Sequence, residues 1–183
     1  AAYQAGAWRA DAAVVAALAA VQKPEDVKAV QAAIRAVYLP WCDDAARYLT
    51  EAALPLFYSQ PGTLDRWLRE LDPVVLARHP PLAVVAGWVH LFNGRASDAE
   101  RMAQVAERST FDGIPGDGSS SFASQRAMLL AVMCRRGPRD MLEHAELAAA
   151  TEPPGSRWRA TALVALGMAH LALGDQDAAA AAF

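Results

Sequence analysis

The chain has 183 residues, of which 54% are hydrophobic and 20% are charged, with a net charge of −3 at pH 7. This composition is too apolar for a disordered tail, and no stretch reaches the roughly 18 uninterrupted apolar residues of a membrane-spanning helix. The 17 basic residues are scattered rather than clustered, which argues against a nucleic-acid surface in this segment. We therefore expect a cytoplasmic protein that contacts neither membranes nor DNA through these residues.

Two cysteines, Cys42 and Cys134, stand far apart and belong to no CxxC pair. The sequence therefore indicates neither a disulfide framework nor a structural zinc site. We expect both side chains to be ordinary buried thiols.

Helix-breaking residues occur at short intervals, and the segments between them carry apolar residues at three- and four-residue spacing, which predicts an all-helical chain. Residues 1–40 are expected to form N-terminal helices that either link to an array of helices or begin it. Residues 41–183 are expected to form the array itself. In chain order its helices are predicted from Asp43 with a kink or an early end at Pro55, over 64–71, over 80–92, from Ser97 to Ser109, over 120–135 and 139–151, from Ser156 to Gly174, and from Asp175 to Phe183.

Several of these helix starts carry capping signals. Ser97 and Glu100 fit a capping box, in which the serine accepts from the amide of residue 100 and the glutamate from the amide of residue 97. Ser119 or Ser120 is expected to cap the helix that follows the glycine-rich loop 110–121, and Ser156 is expected to cap the helix that ends at Gly174. Such a loop before a helix also suggests phosphate binding, but no lysine lies nearby, so a loop that binds no phosphate is the favoured interpretation.

The helical hairpins repeat at a fixed distance along the chain. Residues 87–99 recur at an offset of 80, and the matching pairs are Gly87 and Gly167, His90 and His170, Leu91 and Leu171, Gly94 and Gly174, and Ala99 and Ala179. An offset of 80 is two units of about 40, with a degenerate unit between them whose turn is expected at Gly137.

The repeated residues each have a physical use in a stacked hairpin. A glycine inside a helix costs roughly 1 kcal/mol against alanine, so Gly87 and Gly167 predict the close approach of a neighbour. Gly94 and Gly174 are expected to reverse the chain in a left-handed conformation. Phe183 follows Ala179 by one helical turn and is expected on the same face.

This spacing resembles the tetratricopeptide repeat, which has a glycine, a medium side chain three residues later, a second glycine, an alanine and then an aromatic residue. Gly167, His170, Gly174, Ala179 and Phe183 match all five positions, whereas Ala103 replaces the aromatic residue in the earlier copy. The resemblance implies a right-handed superhelix of antiparallel helical hairpins. This all-α architecture is the predicted fold.

The run LDRWLRELDPVVLARHPPLAVVAGWVHLFNGRASDAERMAQVAE at 64–107 looks like the central helical region of large bacterial LuxR-family regulators of the MalT-like type. The stretches STFDGIPGDGSSSF and EPPGSRWRATALVALGMAHLALGD follow in the same order, so the resemblance covers about residues 42–183. It implies a regulator with an N-terminal signal-transducing ATPase module, a helical-repeat sensor and a C-terminal helix-turn-helix that binds promoters.

The chain differs from such a multidomain regulator at both ends. It has no P-loop lysine and no basic recognition helix, and its last hairpin is truncated at Phe183. We therefore expect a piece of the sensor region. ATP, Mg and promoter DNA are expected to bind only to modules outside these residues.

The sequence carries no HExxH or GxSxG motif and no pattern that favours a catalytic pair of a cysteine and a histidine. We therefore expect no enzymatic activity, no cofactor and no metal in this segment. His90 and His170 invite a metal interpretation. Their identical repeat positions instead favour half-buried packing residues with one solvated ring nitrogen. Trp67, Trp88 and Trp158 are expected to fill the core rather than to form a ligand cage.

Polar groups on the first helices of the hairpins are the candidates for binding, because those helices line the concave face of a helical-repeat superhelix. The candidates are Gln125, Arg126, Trp158 and Arg159. Arginine offers a planar fork for carboxylates or phosphates, and tryptophan can stack on sugars or other flat ligands. Surface salt bridges are the alternative role for these polar groups.

Two functions of different class are compatible with these residues. In the first, a small inducer or a partner protein binds the concave groove and shifts the parent regulator between resting and active assemblies. In the second, the repeats form a plain protein-interaction scaffold that senses no ligand. Self-association is a further expectation, and an accessory domain of an unrelated enzyme ranks last.

Overall fold

The computed structural model describes residues 46–53, 56–57, 59, 61–71 and 73–183 of the chain. All of these residues fall in one compact unit, 46–183. They form helices, turns and loops but no β-strand, which confirms the predicted all-α class for this part of the chain. The helices predicted for residues 1–40, together with Cys42, lie outside the described residues.

Short helices follow one another along the described unit. Residues 46–53 form a first helical segment. The helices that follow are α1 (Pro61–Glu70), α2 (Pro73–Arg78), α3 (Pro80–Phe92), α4 (Ala96–Arg108), α5 (Phe122–Met133), α6 (Pro138–Thr151), α7 (Arg159–Ala172) and α8 (Gln176–Ala182). Tight turns join most of them, and a long loop, 110–121, separates α4 from α5.

Proline and short polar side chains set several helix starts. Pro80 and Pro81 open α3, where the missing amide of proline costs nothing because the first helical amides have no partner. Ser121 caps α5 and accepts from the amide of Ser124 at 3.1 Å, one residue beyond the predicted cap. Asp175, where the last helix was expected to start, is the cap of α8, and its carboxylate accepts from the amide of residue 178 at 3.0 Å.

Two predicted caps are wrong. Ser97 lies inside α4, which begins one residue earlier after Arg95 and has no side-chain cap. Glu100 instead accepts from Gln104 at 2.8 Å, because the preceding turn places the helix start before the serine. Ser156 also does not cap α7: its hydroxyl accepts from the amide of Trp158 in the turn that precedes that helix.

From α2 onward each helix packs against its chain neighbour, and the first helices of successive hairpins also pack against each other. The hairpin pairs are α3 with α4, α5 with α6 and α7 with α8, while α3 contacts α5 and α5 contacts α7. Alanine forms much of the core between them, so the helices approach closely. Fully buried alanines include Ala103, Ala106, Ala145, Ala148, Ala162 and Ala169.

The turns of the two matching hairpins have the same geometry, as the offset of 80 predicts. Gly94 has a φ of +70° and Gly174 has a φ of +82°, the left-handed conformation that glycine adopts without a side-chain clash. The same backbone hydrogen bonds close both turns: Gly94 N to Leu91 O (3.1 Å) and Gly174 N to Leu171 O (3.0 Å), and Arg95 N to His90 O (2.9 Å) and Asp175 N to His170 O (3.0 Å).

The degenerate middle unit follows the same register. Cys134 lies 40 residues after Gly94 and 40 before Gly174, and it alone among the described non-glycine residues has a positive φ, +46°. It ends α5 in the left-handed conformation. Gly137, where the turn was expected, has a φ of +97° and immediately precedes α6. The left-handed reversal therefore falls on a cysteine, three residues before the predicted glycine.

The mid-helix glycines mark close approaches, as predicted. A Cβ on Gly87 would lie 2.6 Å from Cδ2 of Leu129 on α5, and a Cβ on Gly167 would lie 2.5 Å from the ring of Phe183. Ala103 replaces the aromatic residue in the earlier hairpin, and Leu129 from the next hairpin fills the space beside Gly87. The two glycines thus serve the same purpose with different partners.

Candidate functional site

An apolar cavity of about 150 Å³ lies between α3, the start of α7, the loop 110–121 and the helical segment 46–53. Aromatic rings dominate its lining. Trp88 stacks on Phe92 with ring centroids 5.7 Å apart, and Phe57 lies tilted against Phe92 at 5.1 Å. The lining residues are Ala53, Phe57, Leu64, Val85, Trp88, Val89, Phe92, Asp117, Trp158 and Thr161.

Asp117 in the loop 110–121 fixes one wall of this cavity. Its backbone carbonyl accepts from Nε1 of Trp158 at 3.0 Å, which orients the indole. Its carboxylate accepts from the amide of Ser119 at 3.0 Å and from Nε2 of Gln125 at 2.9 Å. Because both carboxylate oxygens have donors inside the protein, Asp117 can be buried with its hydrogen-bond acceptors satisfied.

A second buried carboxylate, Glu152, anchors the other end of the same loop. The side chain of Glu152 is at the end of α6, and the residue is only 1% exposed. Its oxygens accept from the amide and hydroxyl of Ser120 at 3.0 Å each, and from the hydroxyls of Ser124 and Ser156 at 2.5 Å each. Burial raises the pKa of the Glu152 carboxyl, but these hydrogen bonds outweigh burial and hold the pKa below its usual value.

The loop amides that would have to bind a phosphate already donate hydrogen bonds to these two carboxylates. The amides of Ser119 and Ser120 donate to Asp117 and Glu152 respectively, so they already bind anions that belong to the protein. Pro115 and Ser119 are fully buried, and Gly116 packs so closely on Glu51 that a Cβ there would lie 2.5 Å from Cγ. The loop is therefore a packed structural element rather than an open anion cradle.

The structure brings together only part of the predicted ligand groove. Gln125 and Trp158 both bond to Asp117, and of the predicted four only Trp158 lines the cavity. Arg126 donates to the backbone carbonyls of residues 106 and 109 at 3.3 and 3.4 Å, near the end of α4. Arg159 donates to the carbonyls of residues 149 and 152 near the end of α6. Both arginines thus hold carbonyls at helix ends.

His90 is buried within a partly buried polar cluster, so it differs from the expected half-buried residue with a solvated nitrogen. Its Nδ1 lies 2.8 Å from Nη2 of Arg95, and the same guanidinium forms a two-point ion pair with Asp65 of α1. Burial lowers the pKa of the His90 imidazole, and the charge of Arg95 lowers it further. The hydrogen bond from Arg95 holds the pKa of the Asp65 carboxyl below its usual value. The cluster links α1 to the α3–α4 turn.

His170 does not share this cluster, because Asp175 stands at the position of Arg95. It is half-buried, as expected for both histidines. In the part of the chain that the structure describes, no group of three His, Cys, Asp or Glu side chains could hold a metal ion.

Sequence reasoning missed Asp117, Glu152 and the cavity role of Trp88. Asp117 stands between two glycines, and Glu152 precedes two prolines. An acidic residue in an irregular segment can accept from loop amides, and that local signal could have drawn attention to both. Ser124 and Ser120, which donate to Glu152, lie 28 and 32 residues away from it, a relation that no local pattern reveals.

Comparison of the chain with known protein families, curated proteins and solved structures finds no match. Among the described helices, none has both the length and the apolar character needed to cross a bilayer. The resemblance to MalT-like regulators therefore stays a prediction from the sequence.

Proposed function

We propose that the chain is a right-handed superhelix of tetratricopeptide-like hairpins that serves as the sensor segment of a bacterial LuxR-type transcriptional regulator. The observation that carries this proposal is the register of the hairpins: helix-ending left-handed residues at 94, 134 and 174, with first helices packed in succession. Hairpins that repeat at a constant spacing and stack in succession are the building principle of helical-repeat superhelices.

The cavity is the proposed ligand site of this sensor. Its volume of about 150 Å³ suits a molecule with one flat ring, and its aromatic faces favour stacking on a largely apolar ligand. The walls come from α3, from α7 and from the loop 110–121. A ligand held there contacts two hairpins that are not adjacent in the array, so binding would shift the balance between alternative curvatures.

The role within a parent regulator follows from the sequence resemblance. When an inducer or a partner protein binds in the cytoplasm, the segment would transmit that signal to an ATPase module before it and to a helix-turn-helix after it. Enzymatic activity, ATP and Mg belong to other modules in this proposal, and DNA is contacted only through the helix-turn-helix. The coding sequence on either side tests it: a P-loop upstream and a helix-turn-helix downstream are expected, and their absence refutes the regulator.

The competing proposal is a plain interaction scaffold without ligand sensing. One observation favours it: α7 exposes the apolar side chains of Val164, Met168 and Leu171. An exposed apolar stripe on a helix is typical of a surface that binds protein.

A thermal-shift experiment separates the two proposals. The 183-residue chain is screened with indole, benzoate, glucose, an adenine nucleotide and a short peptide, because a ligand at 100 times its Kd stabilises a protein by about 2.7 kcal/mol. For a chain of this size that corresponds to a rise in Tm of roughly 5 to 10 °C. We expect the ring compounds to raise Tm in the wild type and in Trp67→Leu, a tryptophan outside the cavity, but not in Trp158→Leu. No shift with any compound would favour the scaffold.

A further inference from the structure

An apolar face on α7 has no partner among the described residues. It comprises Val164, Met168 and Leu171, which are 51%, 52% and 48% exposed, and we call it the terminal face. These three residues lie on one side of the helix, at spacings of four and three. From residue 160 to residue 173 the sequence has no Asp, Glu, Lys or Arg, so no formal charge interrupts the face.

The repeat register gives this face two counterparts whose partners are known. Forty residues earlier, on α5, the counterparts are Ser124, Met128 and Ala131, and eighty residues earlier, on α3, they are Val84, Trp88 and Leu91. All three residues on α5 are buried, each at most 1% exposed, and Val84 is completely buried. The helix that packs on these counterparts indicates which kind of helix the terminal face can bind.

In both counterparts the cover is the first helix of the next hairpin. Val84 of α3 belongs to one core cluster with Leu129 of α5. Met128 of α5 packs in one cluster with Ala162 of α7, and Ala131 packs in another with Ala165 of α7. The terminal face is the third occurrence of an interface that the chain forms twice.

We propose that the terminal face binds the first helix of a further helical hairpin of this same repeat type. The inference does not depend on the sensor proposal, because it rests only on the register and on the two interfaces already formed. The partner helix carries apolar residues along its contact with α7, as α5 and α7 do where they cover the preceding first helix. An arginine near its start would donate to carbonyls at the end of the preceding second helix, as Arg126 and Arg159 do.

The space beside Gly167 specifies one residue of that partner. At the equivalent Gly87, the side chain of Leu129 enters the gap left by Ala103. At Gly167 the ring of Phe183 already fills the gap, since a Cβ on this glycine would lie 2.5 Å from the ring. The partner helix must therefore carry a small residue, such as alanine, at the position equivalent to Leu129.

The test extends the chain with its own repeat. A copy of residues 104–151 is added directly after Phe183, which occupies the position equivalent to Ala103. Two extended chains are made, one with the copied sequence unchanged and one with Leu129→Ala in the copy alone. Met168→Glu is introduced into the original and into both extended chains, and Ala181→Glu is the matched control, because the equivalent Arg101 stays exposed in its hairpin.

In the original chain we expect Met168→Glu to shift Tm by less than about 2 °C, since the side chain is half exposed. In the extended chains the same substitution buries a charge and should lower Tm by roughly 5 °C or more. The extended chain with alanine in the copy should melt higher than the one with leucine. Ala181→Glu should have no differential effect.

Three results would overturn the proposal. Met168→Glu could have the same effect in all chains, or hydrogen exchange could show the added hairpin to be unfolded in both extended chains. Sedimentation could also show that the original chain forms a dimer that Met168→Glu dissociates, which would identify a second copy as the occupant of the face.

Discussion

Replacing Glu152 by glutamine tests whether the loop 110–121 is held by a buried charge. The carboxylate accepts four hydrogen bonds, from the amide and hydroxyl of Ser120 and from the hydroxyls of Ser124 and Ser156. Hydrogen bonds to a charged group contribute about 1.5 to 3 kcal/mol each, against about 1 kcal/mol for neutral pairs. Glutamine keeps an acceptor oxygen for three of the donors, and the hydroxyl of Ser156 can rotate to accept from the new amide group.

The cost of Glu152→Gln is therefore the loss of charge rather than the loss of all four bonds. We expect the free energy of unfolding at pH 7 to fall by about 2 to 3 kcal/mol, with a decrease in Tm of roughly 4 to 12 °C. Urea unfolding measures the first quantity and calorimetry the second. Glu146→Gln, on the exposed side of the same helix, is the control and should change neither.

The pH dependence of this difference has a definite sign. The pKa of the Glu152 carboxyl is lower in the folded chain than in the unfolded chain, so its contribution is complete above the unfolded pKa. It declines as the pH falls from the unfolded value to the folded value, because the unfolded chain binds the proton first. The stability gap between wild type and Glu152→Gln should be constant from pH 7 down to about pH 5 and then narrow. A gap below about 0.5 kcal/mol at pH 7, or one that widens in acid, would refute the reasoning.

Three further substitutions test the packing of the hairpins and the partly buried ion pair between Arg95 and Asp65. Gly87→Ala should lower the free energy of unfolding by about 1 to 2 kcal/mol, because buried Leu129 has to shift. Gly167→Ala should be neutral or slightly stabilising, because exposed Phe183 can move away and alanine favours the helix. Urea unfolding of both variants checks this contrast, and equal effects would contradict it. Arg95→Gln should lower the free energy of unfolding by about 2 kcal/mol, because it leaves the buried carboxylate of Asp65 with only the exposed Arg69 as a cation. An unchanged urea midpoint would show the pair of Arg95 and Asp65 to be dispensable.

The parts of the fold that the sequence predicts correctly are those that local chemistry decides. Gly94 and Gly174 end their helices because glycine tolerates a positive φ, and Pro80 opens α3 because proline loses no hydrogen bond there. The Ser97 capping box failed although its residues are suitable, because the turn closed by the amide of Arg95 starts the helix before the serine. Local patterns name suitable residues, and the preceding turn selects among them.

The candidate site could be predicted only in fragments. Trp158 was named from its place at the start of a first helix, and it does line the cavity. Arg126 was named by the same argument, yet its guanidinium donates to carbonyls of α4. Which way a long side chain turns depends on donors and acceptors from other elements. The role of Glu152 was missed because its donors Ser120 and Ser124 lie 32 and 28 residues away, and the role of Asp117 at the cavity was missed because its bond to Trp158 spans 41 residues.

The packed loop 110–121 also bears on how the chain unfolds. In a linear array, each hairpin is stabilised only by its neighbours, so unfolding can begin at either end and spread one unit at a time. Here Gly116 packs on Glu51, and Asp117 accepts from Trp158, so a single loop connects the first described helical segment with the last hairpin. Fraying at one end therefore has to break contacts at the other, and native-state hydrogen exchange should show one cooperative unit from residue 46 to the start of α7.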